Sequence, residues 1–187
     1  MLPSVLVNAA LAVCAVAAVW GHTKKTPLRI ILRYFTALSN LFCALCALLV
    51  VVCRACGSVP NAVLLLKYVG TAAVTVTMLT VLAFLGPTLG YRMLLTGPDL
   101  WLHLICPVLA IVSYVLWDRP KMPFAAALLG VVPVLVYGAV YIRRVLFAPE
   151  ERRWKDFYGF NRGGKWRVSF AAMLLGAFLV SIVLWLV

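Results

Sequence analysis

Acidic residues are scarce in this chain: five Asp and Glu stand against 17 Lys and Arg in 187 residues, and charged side chains of both signs make up only 12%. Charge is too sparse, and apolar side chains at 65% too abundant, for a soluble globular domain. There are only two histidines, and four of the six cysteines, Cys14, Cys43, Cys46 and Cys106, lie inside apolar runs. No metal-ligand set and no disulfide framework emerges, so neither metal nor cofactor is expected and most cysteines read as small packing residues. Cys53-x-x-Cys56 stands at the end of an apolar run, with no soluble domain around it to make a redox centre. The first apolar run has neither a basic n-region nor a small-residue cleavage site, so it is expected to be a retained helix. Nucleic acid is excluded as a partner despite the net charge of +12, because the Lys and Arg sit at the ends of apolar runs, where lipid headgroups attract them.

Six apolar segments remain, at about 3–20, 30–52, 62–86, 100–117, 123–142 and 168–187, each long enough to span a bilayer. The fold class that follows is all-α: a single six-helix transmembrane bundle. Pro27 suits a helix start, Gly86-Pro87 is expected to end the third segment, and Asp99 to cap the fourth. The only long connection, 143–167, mixes cations with Trp154, Phe157, Tyr158, Phe160 and Trp166, as an interfacial segment does. An even number of spans puts both termini on one side. The first, third and fifth loops and their flanks hold most of the cations, whereas the opposite side has Arg54, Lys67, Arg119 and Lys121. The cation-rich side is therefore expected to face the cytoplasm, with both termini outside.

Within the second segment Thr36, Ser39, Asn40 and Cys43 recur at i, i+3, i+4 and i+7, so on a helix they share one face. Hydrocarbon cannot satisfy hydroxyls and a carboxamide, and that face must look into the bundle or a hydrated cavity. His103, early in the fourth segment, is an intramembrane ionisable residue and so marks a functional site by default. Both segments enter from the same side, and at ~1.5 Å per residue Thr36 and His103 both lie within ~10 Å of that boundary. An alcohol needs a base to remove its proton during attack, and neutral imidazole is the usual one. A Thr36–His103 dyad follows. Asp118, ~22 Å further along the fourth segment, is too far to orient the imidazole. The orienting or oxyanion-holding group must then be neutral, and Asn40, Ser39, Thr77, Thr80 and Tyr137 lie at usable depths. Arg33, one turn from Thr36, is placed either to hold a lipid carboxylate or to snorkel. Plainer readings stand beside these: Thr36 bonding back to the Leu32 carbonyl, His103 as an interhelical hydrogen bond, and Cys43 or Cys106 as alternative nucleophiles or inert thiols.

Three stretches, Leu32-Arg-Tyr-Phe-Thr-Ala-Leu-Ser-Asn-Leu41, His103-Leu-Ile-Cys-Pro-Val-Leu109 and Asp156-Phe-Tyr-Gly-Phe-Asn-Arg-Gly-Gly164, together resemble the androgen-induced/FAR-17a family and its bacterial relatives. The animal members are intramembrane threonine hydrolases that cleave fatty acid esters of hydroxy fatty acids, with a Thr in the second span and a His in a later one. The resemblance implies that Thr36 and His103 play those parts, that a lipid ester is the substrate, and that the bacterial cytoplasmic membrane is the location. The chain departs from the animal pattern at Ser39-Asn40 and in the glycine-rich stretch from Tyr158 to Gly164. Two other functions fit the same sequence: a lipid or small-solute carrier with His103 as a polar switch, and a non-catalytic scaffold. No inverted repeat supports the carrier.

Overall fold

A computed structural model describes residues 2–187. Six of its helices are long and apolar enough to cross a membrane: Leu2–Thr23, Phe35–Ala55, Asn61–Leu89, Pro98–Trp117, Phe124–Phe147 and Trp166–Leu186. They are called here the first to sixth spans. The molecule is a multi-span helical membrane protein. The first four spans pack in a ring, and the third also carries the fifth and sixth on its far side. Small residues permit this close approach. Ala12, Ala15, Ala44, Ala47, Cys43 and Ala110 form one core cluster, and a Cβ on Gly70 would stand 3.1 Å from the Cys43 Cα. At the crossing of the third, fifth and sixth spans, a Cβ on Gly130 would collide with Ser181 and crowd Ala72 and Tyr68.

Proline shapes two of the spans. Pro87 and Pro107 each lack the N–H that would bond four residues back, to Ala83 and His103. Each of those two residues sits inside a π-helical turn, respectively Val81–Leu85 and Trp101–Ile105. The widened turn relieves the clash of the proline ring with the preceding carbonyl. Gly86-Pro87 therefore does not end the third span, as the sequence suggested; the helix widens and runs on to Leu89. The fifth span likewise continues past Arg143 and Arg144 to Phe147.

Other expectations are corrected in the same way. Leu28–Ile31 is a separate turn of helix opened by Pro27, and the backbone is extended at Tyr34 (φ −94°, ψ 132°) before the second span begins at Phe35. The break is fixed by distant residues: the Tyr34 ring packs on Phe157 at 4.3 Å, and the Phe35 N–H donates to Tyr158 Oη at 3.0 Å. Gly97, with φ 57°, takes the cap position of the fourth span. Asp99 instead lies in the first turn, 3.2 Å from His22 in the last turn of the first span. Segment 148–165 folds over the end of the bundle: Asp156 accepts the N–H groups of Phe160 and Asn161 at 2.9 and 2.8 Å, and Tyr141 Oη donates to it at 2.9 Å.

The opposite end holds a polar cluster that the sequence did not reveal. Lys67, tallied above as a flanking charge, is fully buried, as are Ser4, Asn8 and Asp118. Lys67 Nζ donates to Asn8 Oδ1 at 2.7 Å, and Asn8 Nδ2 donates to Asp118 Oδ2 at 2.6 Å. Ser4 Oγ and Arg54 Nη2 each donate to Asp118 Oδ1 at 2.9 Å. One carboxylate thus ties together the first, second and fourth spans directly and the third through Asn8. With Lys67 inside, fewer cations remain on that face, and the asymmetry of surface charge between the two ends grows.

Candidate active site

Thr36 is the second residue of its span, so its amide belongs to the first turn, where N–H groups have no helical partner. The Leu38 N–H reaches the Tyr34 carbonyl and the Phe35 N–H is taken by Tyr158. Among the described residues, the N–H groups of Thr36 and Ala37 have no backbone acceptor. The Leu32 carbonyl lies outside this helix, and the Thr36 hydroxyl instead stands 3.4 Å from His103 Nε2.

The other ring nitrogen decides the tautomer. His103 Nδ1 is 2.7 Å from the carbonyl oxygen of Leu94. A carbonyl only accepts, so Nδ1 carries the proton and Nε2 presents a lone pair to Thr36. Leu94 ends a short helix, Tyr91–Leu94, in the loop between the third and fourth spans. A backbone carbonyl therefore does what a carboxylate does in a hydrolase triad: it fixes tautomer and ring orientation. Asp118 is committed at the other end of the bundle. His103 is only 6% exposed.

The neutral residues singled out in the sequence fall into two groups. Asn40 Nδ2 donates to the Thr36 carbonyl at 2.8 Å and to the Leu102 carbonyl at 3.0 Å, clamping the backbones on which Thr36 and His103 are carried. Ser39 Oγ lies 3.2 Å from the Thr36 carbonyl and 3.0 Å from Thr77 Oγ1. The donors of Asn40 are thus spent on carbonyls, which leaves them no part in holding an oxyanion. Thr77, Thr80 and Tyr137 line a cavity of about 870 Å³ between the third, fifth and sixth spans, and Thr36 and Tyr158 line it too. Tyr137 Oη donates to the Arg33 carbonyl at 2.7 Å. The Arg33 guanidinium lies over the Trp154 ring, 5.6 Å from its centroid, and outside the cavity. The cavity walls are apolar, with Val76, Phe84, Val134 and Met173 among them, and Arg162 and Lys165 supply cations at the loop end. Gly176 on the sixth span leaves open space where a Cβ would stand. Such a cleft accepts an alkyl chain with a polar end.

Cys43 and Cys106 are fully buried in the packed core and line no part of this cavity, and no disulfide forms among the described cysteines. Among the described residues no group of His, Cys, Asp and Glu is arranged to hold a metal ion. Two contributors escaped sequence reasoning. The Leu94 carbonyl has no side-chain signature, and Tyr158 reaches the site across 123 positions of chain, beyond any local pattern.

No known protein family, curated protein or solved structure matches this chain.

The π turn that carries His103 makes a prediction of its own. Pro107→Ala supplies the missing N–H and lets the turn tighten to α, which rotates His103 away from Thr36. A misplacement of about 1 Å costs roughly 10²-fold in rate. Any activity that uses the dyad should fall by about that factor in Pro107→Ala, while the thermal midpoint in detergent stays the same or rises. Unchanged activity would show that the widened turn does not set the geometry.

Proposed function

We propose that this protein is an intramembrane hydrolase of lipid esters, with Thr36 as nucleophile and His103 as general base. The ester enters the cleft between the third, fifth and sixth spans with its acyl chain against the apolar walls. Thr36 Oγ1 adds to the acyl carbonyl while His103 Nε2 takes its proton. The tetrahedral intermediate collapses, and the alcohol leaves with the proton that His103 returns. Water then attacks the acyl-threonine by the same path, and His103 again serves as base. The N–H groups of Thr36 and Ala37, at the positive end of the second span, favour negative charge beside the reacting carbonyl.

The observation that carries this reading is the 3.4 Å approach of a cavity-lining hydroxyl to the unprotonated nitrogen of a buried histidine. The resemblance to the threonine hydrolases points to the same two residues and to fatty acid esters of hydroxy fatty acids as substrates. The excess of cations at this end supports a site near the cytoplasmic leaflet, with both termini outside. Arg162 and Lys165 suit an anionic substrate end; Arg33, held on Trp154, does not.

The test is turnover by the purified protein in detergent, across fatty-acyl esters of matched length with and without a free carboxylate. Measurable release of fatty acid is expected, with the anionic esters preferred. In Arg162→Gln/Lys165→Gln the KM for anionic esters should rise about tenfold, equivalent to ~1.4 kcal/mol of charge-assisted binding, and that for neutral esters should not. A protein that binds such esters and hydrolyses none would instead be the carrier that the sequence also allows.

A further inference from the structure

The segment that closes the cavity delivers one side chain for which a two-residue mechanism has no use. Tyr158 accepts the Phe35 N–H at 3.0 Å, one residue from the nucleophile, and lines the same cavity as Thr36. Its position is held from behind. The Tyr158 N–H donates to Tyr141 Oη at 3.1 Å, and Tyr141 Oη donates to Asp156, which also caps the following turn. Its ring meets those of Tyr141 and Tyr137 at 5.3 and 6.3 Å. This is more support than a helix cap alone requires.

A phenol that accepts one hydrogen bond still has its own proton to give. Tyr137, beside it, has already directed its proton to the Arg33 carbonyl. Burial is the largest influence on the Tyr158 hydroxyl and pushes it up to about 12, against the hydrogen bond it accepts from Phe35, which acts the other way. The proton therefore stays on the oxygen through the neutral range.

We infer that Tyr158 is a further catalytic residue, whose hydroxyl donates to the oxyanion formed on the acyl carbonyl when Thr36 adds to it. The role rests on the Thr36–His103 reading. As the Oγ1–C bond forms, the carbonyl π pair moves onto oxygen, and that oxygen accepts the Tyr158 O–H without taking the proton. When the C–O bond to the leaving alcohol breaks, the pair returns to the carbonyl and the hydrogen bond weakens. The motif Asp156-Phe-Tyr158 then acquires a reason: Asp156 holds the turn that aims the phenol.

The experiment compares the full-length protein with Tyr158→Phe and with 3,5-difluorotyrosine at position 158, on a neutral fatty-acyl ester. Tyr158→Phe should lower kcat about 10²–10³-fold with KM within about twofold, as loss of one oxyanion donor does. The difluorinated residue, a more acidic donor of nearly the same shape, should shift kcat by more than about twofold. An active wild type whose kcat is unmoved by fluorination overturns the role of Tyr158 while leaving the dyad intact, and that comparison holds even where Tyr158→Phe folds poorly. An inert wild type overturns the hydrolase reading and this role together.

Discussion

Thr36→Ala and His103→Ala are each expected to lower ester turnover by about 10³-fold or more, and the double variant should be scarcely slower than either single one. Nucleophile and base act as a unit, so removing one leaves the other without a task. The fold should survive. Thr36 is half-buried and loses one side-chain hydrogen bond, worth about 1 kcal/mol, so its thermal midpoint in detergent should stay within a few degrees. His103→Gln separates chemistry from architecture, because a carboxamide can still donate toward the Leu94 carbonyl but cannot act as a base. Steady-state rates across the four variants are the check. Activity retained in His103→Gln would make the residue a structural hydrogen bond or the polar switch of a carrier.

The second large effect lies at the other end of the bundle. Asp118→Ala is expected to destabilise the protein by about 3–5 kcal/mol, because it strands the Arg54 guanidinium without its carboxylate and leaves Asn8, which holds buried Lys67, without its acceptor. At about 2–4 °C per kcal/mol for a chain of this size, the unfolding midpoint should drop by roughly 6–20 °C. Breaking the group one-sidedly costs more than removing opposite charges together. Asp118→Asn combined with Lys67→Met should therefore be more stable than Asp118→Asn alone, a sign that would not appear if Lys67 were solvated. Thermal unfolding in one detergent at fixed pH gives both comparisons. The site is far along the bundle, and turnover below the midpoint should change little.

These two ends show what a sequence of this kind reveals. The spans are legible because lipid demands long apolar helices, and the small-residue surfaces between them follow from the same composition. Depth along the chain brought Thr36 and His103 to one level, since both enter the membrane from the same side, and the pair indeed stands within 3.4 Å. The group that orients the imidazole was not legible: a carbonyl belongs to every residue, and only the turn at Leu94 selects this one. The start of the second span was misread because Leu28 to Phe35 is apolar enough to continue a helix, and what breaks it is Tyr158 and Phe157 arriving from far along the chain. Lys67 was counted as a surface charge for a similar reason. Its partner Asn8, which links it to Asp118, comes from the first span, and nothing near position 67 announces it.

The prolines carry a further lesson. Read locally, Gly86-Pro87 is a stop signal, and in water it would usually be one. Within a bilayer the freed carbonyl cannot turn to solvent, and a widened turn keeps the helix running. The same device at Pro107 falls on His103, where an extra residue per turn changes which face the imidazole presents. Proline spacing thus bears on the site as well as on the fold.

The most direct measurement is the location of a covalent adduct. Detergent-purified protein treated with a fluorophosphonate hydrolase probe, digested and sequenced by mass spectrometry, should carry the probe on Thr36 in the wild type and nowhere in His103→Ala. Labelling that persists in His103→Ala, or an adduct on Ser39, Cys106 or any residue other than Thr36, would contradict a threonine nucleophile activated by that histidine.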